Sequence, residues 1–108
     1  MQNNNHTYNN LIDAELFSQM KALFAKGNAN IVSEITMAVT KGDFKEAHRL
    51  VHTLKSSAQL IGKTRLSSIA KEAEDLFKIG SVLPQPLFCA LETELKHVLA
   101  EQGGNGSE

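Results

Sequence analysis

Two histidines and a lysine stand close together in the stretch "HRLVHTLKSSAQLIG", which runs from His48 to Gly62. His52 follows His48 by four residues and Lys55 follows His52 by three, so in a helix the three side chains share one face. An imidazole titrates near neutral pH and can therefore act as a nucleophile, a general base or a metal ligand. The spacing therefore indicates a candidate histidine site on one helix.

Three common chemistries are poorly supported by this stretch. His48 and His52 could share a metal ion, but a zinc site needs three or four ligands, and Arg49 stands where a zincin has glutamate. Ser56 and Ser57 lie in mid-helix, where no free backbone amides could form an oxyanion hole. The only glycine-dense segment is the C-terminal "GGNGS", which is not a phosphate-binding loop. Without one of these chemistries, the polar residues of the stretch could also be only the solvated side of an amphipathic helix.

Helical geometry places His52 on the side of its helix that faces solvent. With about 100° per residue, the apolar residues of the stretch fall in one arc opposite His52. The polar arc around His52 contains His48, Lys55, Ser56 and Gln59, and Leu60 lies beside it as an exposed apolar contact for a partner.

The composition predicts one soluble domain. The chain has 108 residues with 42% hydrophobic content and a formal net charge of -1, which gives no general attraction to nucleic acid or to an anionic membrane. Cys89 is the single cysteine, so no internal disulfide can form, and no secretory signal or run of about 20 apolar residues is present. We expect a cytoplasmic location, either as a separate protein or as the cytoplasmic end of a membrane-bound sensor kinase.

The domain boundaries follow from composition. Residues 1–10 are polar and Asn-rich and predict an N-terminal tail, and residues 102–108 predict a flexible C-terminal tail. Residues 11–101 carry apolar residues at three- and four-residue steps, with no alternating strand pattern of useful length. The sequence therefore predicts a helical domain over residues 11–101 with disordered tails.

Four helices are predicted within this domain. The first is one long helix over about 13–40, bent at Gly27, because Phe24 and Ile31 keep the same face across "KGNAN". Gly42 and Asp43 separate it from the histidine helix, which ends at Gly62. Another helix begins near Leu66, and a last one begins at Pro84 or Pro86. Short connections predict an antiparallel four-helix bundle.

The stretch "HTLKSSAQLIG", with "AHRLV" before it and "RLSSIAKEAEDL" after it, resembles the signature of histidine-containing phosphotransfer (HPt) domains. The resemblance extends over about residues 11–100. It implies a four-helix bundle whose motif histidine accepts a phosphoryl group from the aspartyl phosphate of a receiver domain and passes it to another receiver. The motif glycine is replaced by Ser56, which is small enough to keep the approach to the imidazole open.

The resemblance also implies roles for single residues. His52 matches the phosphoryl acceptor and donor, Lys55 the cation that compensates phosphoryl charge, and Gln59 a position of polar support. His48 has no matching role in the family. From their places on or beside the polar arc, His48, Ser56 and Leu60 are expected to contact the docking partner, although His48 could also be only a solvated side chain.

The implied partners are the receiver domains of response regulators in a two-component phosphorelay, together with a hybrid sensor histidine kinase, in cis or in trans. No cofactor is expected on this domain, because the receiver would bring Mg²⁺, and neither nucleic acid nor a membrane is an expected partner. The chain would be a phosphoryl carrier rather than an autonomous kinase. The alternative is a helical interaction module that binds through the same face without covalent chemistry.

Overall fold

The computed structural model describes the backbone of residues 2–101 and the side chains of residues 14–101. Five α-helices and no strands are formed within that part of the chain, which confirms the all-helical class. The helices are α1 (Gln2–Gly27), α2 (Ile31–Thr40), α3 (Phe44–Leu60), α4 (Thr64–Lys78) and α5 (Gln85–Leu99).

The prediction of one continuous first helix is wrong, because the helix breaks between Gly27 and Ile31. Phe24 and Ile31 are both buried, so the predicted common face is correct. Glycine and asparagine nevertheless lower helix propensity, and an asparagine amide competes for backbone groups. At the break, the backbone nitrogen and Nδ2 of Asn28 both donate to the carbonyl oxygen of Phe24, each at 3.0 Å. The side chain of Asn28 thereby stabilises the end of α1.

The predicted start of the first helix is also wrong. The backbone is helical from Gln2 rather than from about residue 13. The predicted boundary between a polar N-terminal tail and the domain stays a prediction. No glycine or proline interrupts the chain before Gly27, and a helix that is already nucleated can propagate at low cost through such a segment. The predicted C-terminal tail over residues 102–108 lies outside the described residues.

Glycines in the left-handed conformation lie at both ends of the histidine helix, one after α2 and one after α3 itself. Gly42 has φ 75° and Gly62 has φ 78°, a region that residues with a Cβ rarely adopt. The amide that follows each glycine donates at 2.8 Å to the carbonyl five residues earlier, which closes the helix end. The carboxylate of Asp43 then accepts a hydrogen bond from the backbone nitrogen of Glu46 at 3.1 Å and caps α3. These turns fix both ends of the helix that carries His52.

The core is built around α3, which packs between α2 and α4, while α5 packs on α4. Helices α3 and α4 are antiparallel, because the ring of Phe44 lies 6.2 Å from that of Phe77, and Ser67 Oγ donates to the carbonyl oxygen of Lys55. The largest fully buried side chains are Ile35, Val51, Leu54, Leu66, Leu91 and Val98. No helix among the described residues is both long and apolar enough to cross a bilayer.

Candidate functional site

His52 lies on α3 with its side chain 54% exposed, while Val51 and Leu54 on the opposite side of the helix are fully buried. The apolar periodicity of α3 therefore turns His52 outward, as the helical arithmetic predicts. Its Nδ1 lies 2.6 Å from Oε2 of Glu74 on α4. No described residue contacts its Nε2 as a hydrogen-bond partner.

Glu74 is a buried carboxylate, with only 8% of the residue exposed. Oε2 contacts His52 Nδ1 at 2.6 Å and His48 Nε2 at 3.4 Å. Oε1 forms an ion pair with Lys55 Nζ at 2.8 Å, although its geometry does not meet the angular requirements of a hydrogen bond. A buried charge is costly unless it is paired, and here three basic side chains from α3 supply that pairing.

The charge state of Glu74 follows from these contacts. Burial raises the pKa of Glu74, but the close contact with Lys55, the hydrogen bond with His52 and the charges of both lower it more strongly. The net result is a pKa lowered from 4.5 to about 2. The carboxylate is therefore ionised at neutral pH and can only accept hydrogen bonds.

This charge state assigns the tautomer of neutral His52. Because the ionised carboxylate has no proton to donate, the proton of the 2.6 Å hydrogen bond must reside on Nδ1. In a neutral imidazole the other nitrogen then carries a lone pair. The site can thus present Nε2 of a half-exposed imidazole as a nucleophile.

His48 lies beside His52 in a stacked arrangement, with ring centroids 6.1 Å apart and an angle of 11° between the ring planes. Both rings and Glu74 line an open depression of ≈ 570 Å³, with Lys45 and Lys78 at its border. Among the described residues, no three His, Cys, Asp or Glu side chains are arranged to hold a metal ion.

Lys55 is more confined than the sequence analysis predicts. Its side chain is 22% exposed, and its ammonium is already paired with Glu74. Lys55 lies on the predicted polar arc, but Glu74, a residue of another helix, pairs with it and limits its exposure. A charge-compensating role in transfer stays a prediction.

The remaining predicted residues lie around this cluster rather than within it. Ser56 and Gln59 are exposed. Gln59 lines a polar groove between α3 and α4 together with Ser67 and Lys71, and no hydrogen bond joins it to His52 or Glu74 in the described part of the chain. Leu60 is 66% exposed.

Glu74 is the residue that the sequence analysis missed. It stands four residues after Ala70 and three before Phe77, both of which are buried on the core side of α4. A glutamate on the apolar arc of an amphipathic helix is unusual, because charged residues are rarely buried without a partner. That position was a signal for a buried ion pair, although the sequence alone does not say which residues meet it.

Comparison with protein-family models matches residues 19–101 to the Hpt domain. No curated protein and no solved structure matches the chain. The matched residues include α2, α3, α4 and α5, and they contain His52, Lys55 and Glu74. Membership of this family implies phosphotransfer in a phosphorelay. Because the match covers well over half of its residues, the chain belongs to the Hpt domain family.

Proposed function

We propose that His52 is the residue that accepts and donates the phosphoryl group, and that Nε2 is the reacting nitrogen. The observation that carries this proposal is the 2.6 Å contact between His52 Nδ1 and Glu74 Oε2. It engages one ring nitrogen and leaves the other with a lone pair on a side chain that is 54% exposed. Accessibility and nucleophilicity thus coincide at one atom.

In the accepting step, His52 Nε2 attacks the phosphorus of an aspartyl phosphate on a receiver domain. A bond forms between Nε2 and phosphorus, while the bond between phosphorus and the aspartate oxygen breaks and the aspartate leaves as a carboxylate. The proton on Nδ1 stays in place, so the imidazole ring becomes cationic. In the donating step, an aspartate of a second receiver attacks the phosphorus, and the bond to Nε2 breaks.

Glu74 supports this step by stabilising the positive charge that develops on the ring. Its carboxylate accepts a hydrogen bond from Nδ1–H of the neutral ring and faces the same nitrogen when the ring is cationic. Because the carboxylate is held by α4, it also limits rotation of the ring and keeps Nε2 directed outward. Glu74 acts as a positioning residue in this proposal.

Lys55 supplies charge compensation for the phosphoryl oxygens. Its ammonium is held near His52 by Glu74 and retains some exposure, so it is available to an arriving anion. The receiver supplies Mg²⁺ and the in-line geometry, since phosphoryl transfer depends mainly on positioning and electrostatic stabilisation. This domain then needs no cofactor of its own.

The partners in this proposal are receiver domains, with a hybrid sensor histidine kinase at the start of the relay, and the setting is the cytoplasm. The open depression beside His48 and His52 gives a receiver room to bring its acidic site to Nε2. We further infer that α2, α3, α4 and α5 are the four helices of the antiparallel bundle. His48 is stacked beside the His52 ring, and His48, Ser56 and Leu60 would contact the receiver.

The proposal is tested with receiver domains that carry a radiolabelled aspartyl phosphate. The wild-type chain should acquire a label that is stable in base and labile in acid, as expected of a phosphoramidate. The His52→Gln variant keeps a polar side chain but lacks the nucleophile, and it should acquire no label.

His48→Gln is the matched control, since it makes the same change one turn away on the same helix. It should still be labelled, and both variants should keep the helical circular dichroism spectrum of the wild-type chain. Labelling of His52→Gln at the wild-type level would refute the assignment. Binding of a receiver without any label on the wild-type chain would instead favour the interaction module.

A further inference from the structure

The described N-terminal part of α1 projects from the helical core. Residues 14–19 are all exposed, whereas Phe24 on the same helix is buried. The match to the Hpt domain begins at residue 19, so residues 14–18 precede the matched part of the chain. The exposure of this part of α1 therefore needs its own explanation.

A row of large apolar side chains runs along this helix. Leu16 is 51% exposed, Leu23 is 67% exposed, and Met20 lies between them, partly buried. Steps of four and three residues place these three side chains on one side of a helix, which is the spacing used when two helices pair. We call Leu16, Met20 and Leu23 the α1 row.

The α1 row borders an apolar groove. Met20 and Leu23 line a groove of ≈ 330 Å³ between α1 and α3, and Leu60 lines the same groove from α3. Leu60 and Leu23 are both about two-thirds exposed. A second helix laid along the α1 row would cover side chains from both helices, so it would compete with a receiver for contact with Leu60. Contiguous exposed apolar surface of this kind marks an interaction site.

The charges at the two ends of the α1 row identify the occupant. Glu15 precedes the row and Lys26 follows Leu23, and both are exposed. An antiparallel copy of the same helix would place the acidic end of one chain against the basic end of the other at both ends of the pair. We propose that the α1 row is a homodimer interface with two-fold symmetry. The formal net charge of -1 adds little repulsion between copies.

The test is the oligomeric state of the full chain, measured by sedimentation equilibrium at concentrations up to about 1 mM, where even a millimolar dissociation constant is detected. We expect the mass to rise with concentration from 11.8 kDa toward twice that value. A chain that stays monomeric at the highest concentration overturns the proposal.

Two sets of variants test the interface itself. Leu16→Lys/Leu23→Lys should raise the dissociation constant at least about tenfold. Met37→Lys on α2, which makes the same change at a side chain that is 58% exposed, should leave it unchanged. Equal effects of the two changes would overturn the assignment to the α1 row.

Charge reversal tests the antiparallel orientation. Glu15→Lys and Lys26→Glu should each weaken the dimer by about two- to fivefold for each pair lost. The double variant Glu15→Lys/Lys26→Glu restores opposite charges at both ends and should recover the wild-type dissociation constant. If the dissociation constant of the double variant is raised by the two single effects combined, the antiparallel pairing is wrong. Because the readout is mass, the result does not depend on whether His52 is phosphorylated.

Discussion

The two sides of His52 differ in how firmly they are organised. On the side facing α4, Glu74 is buried and contacts His48, His52 and Lys55, so a charged group holds the ring that we propose to react. On the side facing α1, the surface is apolar and open, with Leu23 and Leu60 both largely exposed. The comparison teaches that the chemistry is organised by contacts within the chain, whereas the apolar side is available to other molecules.

After loss of His52 itself, we expect Glu74→Gln on the α4 side to slow phosphoryl transfer the most. An amide can donate as well as accept, so it no longer enforces a proton on His52 Nδ1, and it provides no charge to stabilise the cationic ring. We expect the rate of phosphoryl transfer to fall by about 10- to 100-fold, the range found for carboxylates that orient metal-binding histidines.

Transfer kinetics and the ¹⁵N chemical shifts of the His52 ring together measure this change. Wild-type protein should show a protonated Nδ1 and an unprotonated Nε2 at pH values where the ring is neutral. Glu72→Gln is the matched control, because Glu72 is an exposed glutamate on the same helix. Unchanged transfer in Glu74→Gln would remove the carboxylate from the mechanism.

Lys55→Ala is expected to have a smaller effect on transfer. The variant loses one cation near the phosphoryl group, while His52 Nδ1 keeps its contact with Glu74. A single charged contact of this kind contributes about 1 kcal/mol, which corresponds to a roughly fivefold slower transfer.

Lys71→Ala provides the comparison for Lys55→Ala, since Lys71 lies in the neighbouring polar groove and pairs with Asp75 rather than Glu74. It should transfer at close to the wild-type rate. Equal slowing by both changes would mean that general positive charge, and not Lys55, assists the reaction.

The third prediction concerns how the free energy of unfolding changes with pH. The pKa of Glu74 is lowered in the folded chain from 4.5 to about 2, so the unfolded chain binds more protons between these values. The stabilisation is fully present above about pH 5 and is lost as the pH falls toward about 2, on the order of 2–3 kcal/mol in all.

Urea unfolding of wild-type and Glu74→Gln chains between pH 7 and pH 3 measures this contribution. The difference between their free energies of unfolding should shrink as the pH falls below 4.5, because other carboxylates are common to both. A difference that stays constant over this range would show that Glu74 is not held ionised by its neighbours.

The smallest effect is expected on the apolar side. Leu60→Ser removes an exposed side chain, so the free energy of unfolding should change by less than about 0.5 kcal/mol. Transfer at low receiver concentration should slow by about two- to threefold if Leu60 contacts the receiver, with no change at saturation. Val82→Ser, at a position that is 60% exposed between α4 and α5, should change neither quantity.

The sequence predicts the helices of this fold more reliably than the residues at which they begin and end. Apolar periodicity and the glycines at positions 42 and 62 correctly predict the histidine helix and its ends, because these are local effects. The break after Gly27 was missed because the apolar phase continues across it. The pattern records which face is buried, but it does not record whether the backbone is continuous.

The candidate site was predictable only on α3. The spacing of His48, His52 and Lys55 along one helix follows from the sequence, whereas the contact with Glu74 spans 22 residues between His52 and α4. Such a contact depends on how two helices align, which a single sequence does not specify. The paired state of Lys55 was missed for the same reason.

The half-exposed ring of His52 has a consequence for how long a phosphoryl group would remain on it. A nitrogen that a large protein can reach is also reached by water, and the surrounding depression is open rather than enclosed. We therefore expect hydrolysis of the nitrogen–phosphorus bond to compete with delivery whenever no receiver is bound. The output of the relay would then depend on the local abundance of receivers as well as on the supply of phosphoryl groups.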